Sequence, residues 1–359
     1  MNNKISARQL YFFLACVAPV GKLIIMPSQL VYYAKNDLLY PALVNFLLQA
    51  AVIFCVLLLA KRGMNFYELL ENTFGRIAAK ILVCIFSVFL LYAAVLPLLE
   101  QKFFVQAVFY DTLPSILAFA PFFVFCTYLC CKPLGSYGRT WDILGPVAII
   151  GYLGILVLSL STAEYDTLLP IGAAGASGFF RGTASIMSWF YDSAILLMLL
   201  GKFDYKKGMA WKGALFYLAG GLAVLFFLAT FYAIFAETAI NQLFAFTKTS
   251  MYFSGVTVLG RIDYMFIYLL ALVMAFYVSL PVQAAVDGAV QAFGRVKYLA
   301  TVLSAIVNSG YLLMIILLDF RFGEVMRVIN HALFWIFPVF CIAVPLLCLL
   351  LRRKRREVS

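Results

Sequence analysis

Ala18-Pro19-Val20-Gly21-Lys22 interrupts the first apolar stretch of the chain, and Gly182-Thr183-Ala184-Ser185-Ile186-Met187-Ser188-Trp189 interrupts the sixth. Proline removes a backbone donor and glycine loosens a helix, so carbonyls and amides near 18–22 lack helical partners. Pro27 adds a second constraint further along, and Asp192 follows the sixth-stretch weak point. Inside a bilayer every freed backbone group must find protein, water or ligand. The two interruptions open the first and second halves of the chain. Matching positions of this kind characterise two inverted five-helix repeats, whose binding site lies between the broken first and sixth helices near the bilayer midplane. Half-helix N-termini attract a carboxylate and freed carbonyls attract an ammonium. Ordinary kinks satisfied by neighbouring helices are the plainer alternative. One interruption would favour them; two in register favour a site.

Apolar residues make up 65% of the 359 and charged ones 12%, and the mean hydropathy is +1.00. A soluble domain of this size cannot hide so much apolar surface. A bilayer core about 30 Å thick takes roughly 20 apolar residues per helical crossing. Apolar stretches fall near 8–34, 39–60, 78–109, 114–131, 141–161, 177–201, 209–236, 256–292, 297–318 and 329–351. These predict an all-α polytopic membrane protein of about ten crossings in a single transmembrane domain, with one repeat over about 8–161 and the other over about 177–351. Leu14-Ala15-Cys16 faintly resembles a lipoprotein cleavage site, but its apolar run continues to about Tyr33 and reads as the first span. Pro281 predicts a bend in the eighth span or its end in a cytoplasmic helix. Phe66, Leu69, Leu70 and Phe74 recur at helical spacing and predict a short amphipathic helix at the inner surface. Trp141 and Trp211, at cytoplasmic span ends, read as interfacial anchors.

The net charge of +11 does not point to nucleic acid, because no soluble module presents a basic face. Basic residues cluster in alternate loops: Lys4 and Arg8; Lys61, Arg62, Arg76 and Lys80; Lys132 and Arg139; Lys202, Lys206, Lys207 and Lys212; Arg295 and Lys297; and the tail Arg352 to Arg356. The intervening loops carry Asp37, Asp111, Glu164, Asp166, Glu237, Asp319 and Glu324. This positive-inside pattern places both termini in the cytoplasm, with residues 352–359 a basic tail able to touch anionic lipid.

Ionisable residues within spans cost about 2.5–3.5 kcal/mol even on insertion scales, so they pair or line water. Lys22 sits beside the first break, Glu100 and Lys102 in the third span, Asp192 after the sixth-span weak point, and Arg261 and Asp263 at the start of the eighth. Asp192, short and mid-span, is the strongest functional candidate, and Lys22 pairs with it or with Glu100. Glu100 and Lys102 also fit an outer-interface position, Arg261 and Asp263 an ion pair at a helix end, and Lys22 an outward snorkel. Asp287 reads as lying at or beyond the inner interface. Ser185 and Ser188 fit either a ligand contact or an ordinary interhelical hydrogen bond. The cysteines lie mostly inside apolar runs and read as small hydrophobes without metal-ligand spacing. His331 is the single histidine and reads as interfacial. No metal, cofactor, nucleotide loop or nucleophile–base pair is indicated, so no enzyme.

Several motifs resemble the spore germination permease-like family, the B subunits of nutrient germinant receptors in the amino acid–polyamine–organocation superfamily. Lys4-Ile5-Ser6-Ala7-Arg8-Gln9-Leu10 looks like the family's opening before the first span. Asn65-Phe66-Tyr67-Glu68-Leu69-Leu70-Glu71 with Phe74-Gly75 is similar to its amphipathic segment. Asp166-Thr167-Leu168-Leu169-Pro170-Ile171, then Gly175, resembles the stretch entering its sixth span. Asp192 falls where the family often has an acid. Arg261-Ile262-Asp263 and Gly288-Ala289-Val290-Gln291-Ala292-Phe293-Gly294 are similar to the start and end of its eighth span. Met26-Pro27-Ser28 departs from the family's Leu-Pro-Arg. No proline or arginine stands between Phe244 and Gly255, and Lys22 is unexpected in the family.

The resemblance implies a germinant receptor subunit in the spore inner membrane. It would bind a small amino acid or similar nutrient in a mid-membrane pocket and signal through A-type and C-type partner subunits. The expected pocket comprises Ala18, Pro19, Val20, Gly21, Lys22, Glu100, Gly182, Ser185, Ser188, Trp189 and Asp192, with Arg261 and Asp263 structural or coupling residues. The rival expectation is a proton-coupled amino-acid permease using the same fold, with Asp192 or Glu100 carrying the proton.

Overall fold

The computed structural model describes residues 4–109, 114–251, 262–294, 298–317 and 322–354. The chain is an all-α polytopic membrane protein. Among the described residues, seven helices are long and apolar enough to cross a membrane. Helix α1 (Ala7–Val20) and α2 (Met26–Ala34) form the broken first span, followed by α3 (Leu39–Ala60), the short α4 (Phe66–Phe74), α5 (Arg76–Phe109), α6 (Ser115–Cys130) and α7 (Leu134–Ser159). A second broken span, α8 (Gly175–Ser185) and α9 (Asp192–Met198), follows, then α10 (Met209–Phe235), α11 (Ala245–Met251), α12 (Ile262–Phe293), α13 (Leu299–Leu317) and α14 (Phe322–Phe337). A π-helical stretch, Pro338–Ala343, joins α14 to α15 (Val344–Lys354).

Local chemistry sets the helix starts. Ser6 accepts from Gln9 N at 3.4 Å while Gln9 Oε1 accepts from Ser6 N at 3.0 Å, a capping box at the head of α1. Asn65 and Glu68 build the same device for α4 at 2.7 and 3.0 Å. The expected amphipathic helix is there: Phe66, Leu69 and Leu70 are buried and Phe74 is exposed.

Both breaks lie a few residues later than the sequence placed them. The first covers 21–25 rather than 18–22, and the sixth-span break covers 186–191 rather than 182–188. Pro19 stays inside α1, because a π-helical stretch, Phe13–Val17, precedes it and α1 ends at Val20. Pro27 stands in the first turn of α2, where a missing N–H leaves no bond unmade. Gly182 remains helical because its bare Cα lets α8 approach Pro41 and Ala34, which a Cβ would meet at 3.1 and 3.2 Å.

Other expectations are corrected by packing. Trp141 is not interfacial; it is fully buried, stacked on Phe13 at 4.8 Å, because α7 starts at Leu134 rather than 141 and carries it into the core. Trp211 is exposed as expected. Helix α12 runs unbroken through Pro281. Helix α11 was not foreseen in the sequence.

Each of the first four spans packs against the span five places later: α2 on α8, α3 on α10, α5 on α12 and α6 on α13. Helix α10 reaches α1 closely enough that a Cβ on Gly220 would lie 2.5 Å from the Ala15 carbonyl oxygen. At the end where α2 stops, Asp37 accepts from the Gly172 and Ala174 amides at 2.7 and 2.8 Å, and Asn36 donates to Pro170 O at 2.7 Å. These bonds tie the exit of the first broken span to the entry of the second.

Candidate functional site

The unwound backbone of the first break finds partners one by one. Pro19 O accepts from Lys22 N at 2.9 Å and Val20 O from Leu23 N at 3.1 Å. Leu23 O and Ile24 O accept from Phe246 N and Ala245 N at 3.2 and 3.0 Å, so the start of α11 caps the break. Ile25 O accepts from Ser28 Oγ at 2.9 Å. Ala18 O, freed at the end of α1, accepts from Lys22 Nζ at 2.9 Å. The carbonyls of Ala18, Pro19, Val20, Leu23, Ile24 and Ile25 are thus satisfied by the protein's own groups, as membrane-embedded backbone requires.

Lys22 crosses to the other break. Its Nζ lies 2.9 Å from Asp192 Oδ2, and both side chains are 0% exposed. Tyr217 of α10 donates to Asp192 Oδ2 at 3.0 Å and Tyr277 of α12 donates to Oδ1 at 3.2 Å. The ammonium also faces the rings of Phe190 and Tyr277, 5.2 and 5.7 Å from their centroids. The carboxylate thus accepts three hydrogen bonds, and the cation has two oxygen acceptors and two aromatic faces. A buried pair is tolerable only with this degree of satisfaction. Gly21 makes it sterically possible: a Cβ there would stand 2.5 Å from Tyr277 Cε1.

Glu100 approaches from α5. It is fully buried, and its Oε1 accepts from Trp189 Nε1 at 2.6 Å. Its Oε2 has no hydrogen-bond partner among the described residues. Lys102 is buried with its Nζ 3.8 Å from the Phe103 ring centroid. The burial of Lys22 removes the outward snorkel, and Glu100 and Lys102 are buried within the protein.

A cavity of about 600 Å³ opens against the same two breaks, on the side where α2 ends and α8 begins. Ile25, Ser28 and Gln29 line it from the first span, and Arg181 and Ser185 from α8. Arg327, Asn330 and His331 line it from α14. Among the described residues, no Asp or Glu lines it. Gln29 Nε2 reaches Ser185 O at 3.5 Å and Ser188 donates to Asn330 Oδ1 at 2.8 Å, so both breaks are bridged beside the cavity.

The opposite end is drawn together. Ile5 N donates to Lys202 O at 2.9 Å and Asp204 N to Ile5 O at 3.0 Å. Arg8 and Gln9 reach Asp142 of α7 at 3.1 and 2.8 Å, and Lys202 forms an ion pair with Asp287 at the end of α12. Asp287 therefore sits at a partly exposed helix end, as its position in the sequence suggested.

Of the expected pocket residues, Gly21, Lys22, Glu100, Trp189 and Asp192 come together, and Ala18 joins them through its carbonyl. Ser185 lines the cavity and bonds Gly182 O at 2.9 Å. Ser188 bonds Asn330. Pro19 and Val20 remain in α1, Pro19 against Gly220, and Gly182 serves helix packing. Arg261 lies outside the described residues, and so does the side chain of Asp263. Tyr217, Tyr277 and Asn330 were missed, since one polar residue in an apolar span carries no signal of which face it occupies. Arg181 and Arg327 were missed because nothing in the order of residues brings α8 to α14.

The family described as spore germination protein matches residues 41–322. No curated protein matches the chain.

Proposed function

The chain belongs to the spore germination protein family, and from that membership we propose that it is a nutrient germinant receptor subunit. It binds a small amino acid or similar nutrient between its broken helices and signals germination through A-type and C-type partner subunits in the spore inner membrane. The pairing of each early span with the span five places later supports reading 8–161 and 177–351 as two related repeats. The observation that carries the binding role is a cavity of about 600 Å³ ending on Ile25 and Ser185, at the unwound edges of both broken spans. A ligand there touches the two segments whose relative position the Lys22–Asp192 pair fixes. Preferential binding to one arrangement shifts its population and biases the partner subunits. Asp192→Asn in the spore tests this: the dose–response for germinant moves to higher concentration by about tenfold at unchanged protein level. An unaltered dose–response removes Asp192 from the mechanism.

Glu100 favours a second reading. A buried carboxyl with one oxygen unbonded is suited to carry a proton, as a proton-coupled amino-acid permease requires. Uptake of labelled amino acid into proteoliposomes, abolished by collapsing the proton gradient, would establish transport; ligand-dependent stabilisation without uptake would leave the receptor reading.

A further inference from the structure

A ligand amine entering between two broken helices would seek a freed carbonyl, a carboxylate and an aromatic face. All three are in place, and the chain's own side chain has taken them. Lys22 Nζ holds Ala18 O and Asp192 Oδ2 at 2.9 Å each and faces Phe190 and Tyr277. Lys22 and Asp192 are both 0% exposed, and the Tyr277 ring closes over Gly21. Two carbonyls further along the break, Leu23 O and Ile24 O, are occupied by the amides of Phe246 and Ala245. The adjoining cavity has the opposite character. Arg181 and Arg327 line it, and no carboxylate lines it among the described residues. A cationic ligand meets like charge there, and an anionic one meets complementary charge.

We propose that Lys22 is a tethered occupant of the ammonium position between the breaks, so that this protein selects its ligand by an anionic group held near Arg181 and Arg327 and requires no free amine. The inference rests on the ligand-binding role proposed above and names the class of ligand, small carboxylates with or without an amino group. Lys22 is a specificity-determining residue in this scheme. It leaves Asp192 neutralised whether or not ligand is present.

The test uses the purified full-length protein in detergent and reads thermal stability against added ligand. Lys22→Ala deletes three methylenes and an ammonium, which n-propylammonium replaces. Saturable stabilisation of Lys22→Ala by propylammonium, beyond that given by tetramethylammonium at equal ionic strength, is expected. Wild type, Lys22→Met and the Lys22→Ala/Asp192→Asn double variant should not respond. Equal responses to the two cations, or an equal response of wild type, overturn the occupant role.

Wild type supplies the second arm and needs no altered core. L-alanine and propionate differ by the amine, as do L-leucine and 4-methylpentanoate. Within each pair the apparent affinities should agree within about threefold, and Arg181→Gln/Arg327→Gln should weaken propionate by about tenfold. Phosphatidylglycerol presents an anion from a lipid instead; stabilisation by it alone overturns the small-carboxylate assignment. A preference for the amino acids over their des-amino partners of about tenfold or more also overturns the proposal while leaving the ligand-binding role intact. Silence of all four ligands counts against both ligand assignments, and the propylammonium response then judges the occupant role separately.

Discussion

At the scale of the residue, one carboxylate organises the centre of the molecule. Asp192 accepts from Lys22, Tyr217 and Tyr277, which stand on three separate elements. A hydrogen bond to a charged group contributes about 1.5–3 kcal/mol, so Tyr277→Phe or Tyr217→Phe should lower stability by that amount. The two changes should not add, since both hydroxyls serve one acceptor. Thermal unfolding of the single and double variants in detergent checks this; additive losses would mean that the hydroxyls act independently of Asp192. Removing Lys22 should cost more, about 3–5 kcal/mol, because it strands a buried anion. Lys22 and Asp192 were legible in the sequence because charge inside an apolar run is rare. Tyr217 and Tyr277 were not, since a tyrosine in a membrane span is equally at home facing lipid.

At the scale of the element, the first broken span is held at both ends. Its inner part, α1, touches α10 so closely at Gly220 that a side chain there would press on backbone rather than on a movable group. Gly220→Leu should therefore destabilise by about 1–3 kcal/mol, the range for overpacking, read as a lowered unfolding temperature. The head of α1 is fastened to α7 through Asp142. Asp142→Ala should let that end separate, and maleimide labelling of Cys16, buried in the described structure, should accelerate severalfold in a background where Cys16 is the only cysteine. Unchanged labelling would mean that the Ile5–Lys202 contact alone holds α1. The existence of both breaks was legible from proline, glycine and serine content. Their positions shifted because Pro27 and Gly182 met neighbours that kept their helices regular.

At the scale of the whole molecule, the cavity lies at one end and the fastened contacts at the other. The alternation of basic and acidic loops is the basis on which we propose that the fastened end faces the cytoplasm. Cys131, exposed between α6 and α7, falls on the cytoplasmic side in that proposal. A membrane-impermeant maleimide should label it in inverted vesicles and spare it in right-side-out ones. The reverse result would place the fastened end outside and the cavity on the cytoplasmic side.

The order of residues by itself determined that the chain spans a membrane as helices, where its two weak points fall to within a few residues, and which charges stand inside apolar runs. Hydrophobicity, helix-breaking residues and the cost of isolated charge are properties of short stretches, and so can be read without coordinates. Tertiary structure alone decided that Lys22 chooses Asp192 over Glu100, that α11 caps the first break, and that two arginines from separate helices line one cavity. Each of these depends on a distance between residues far apart in the chain, and no local propensity encodes such a distance.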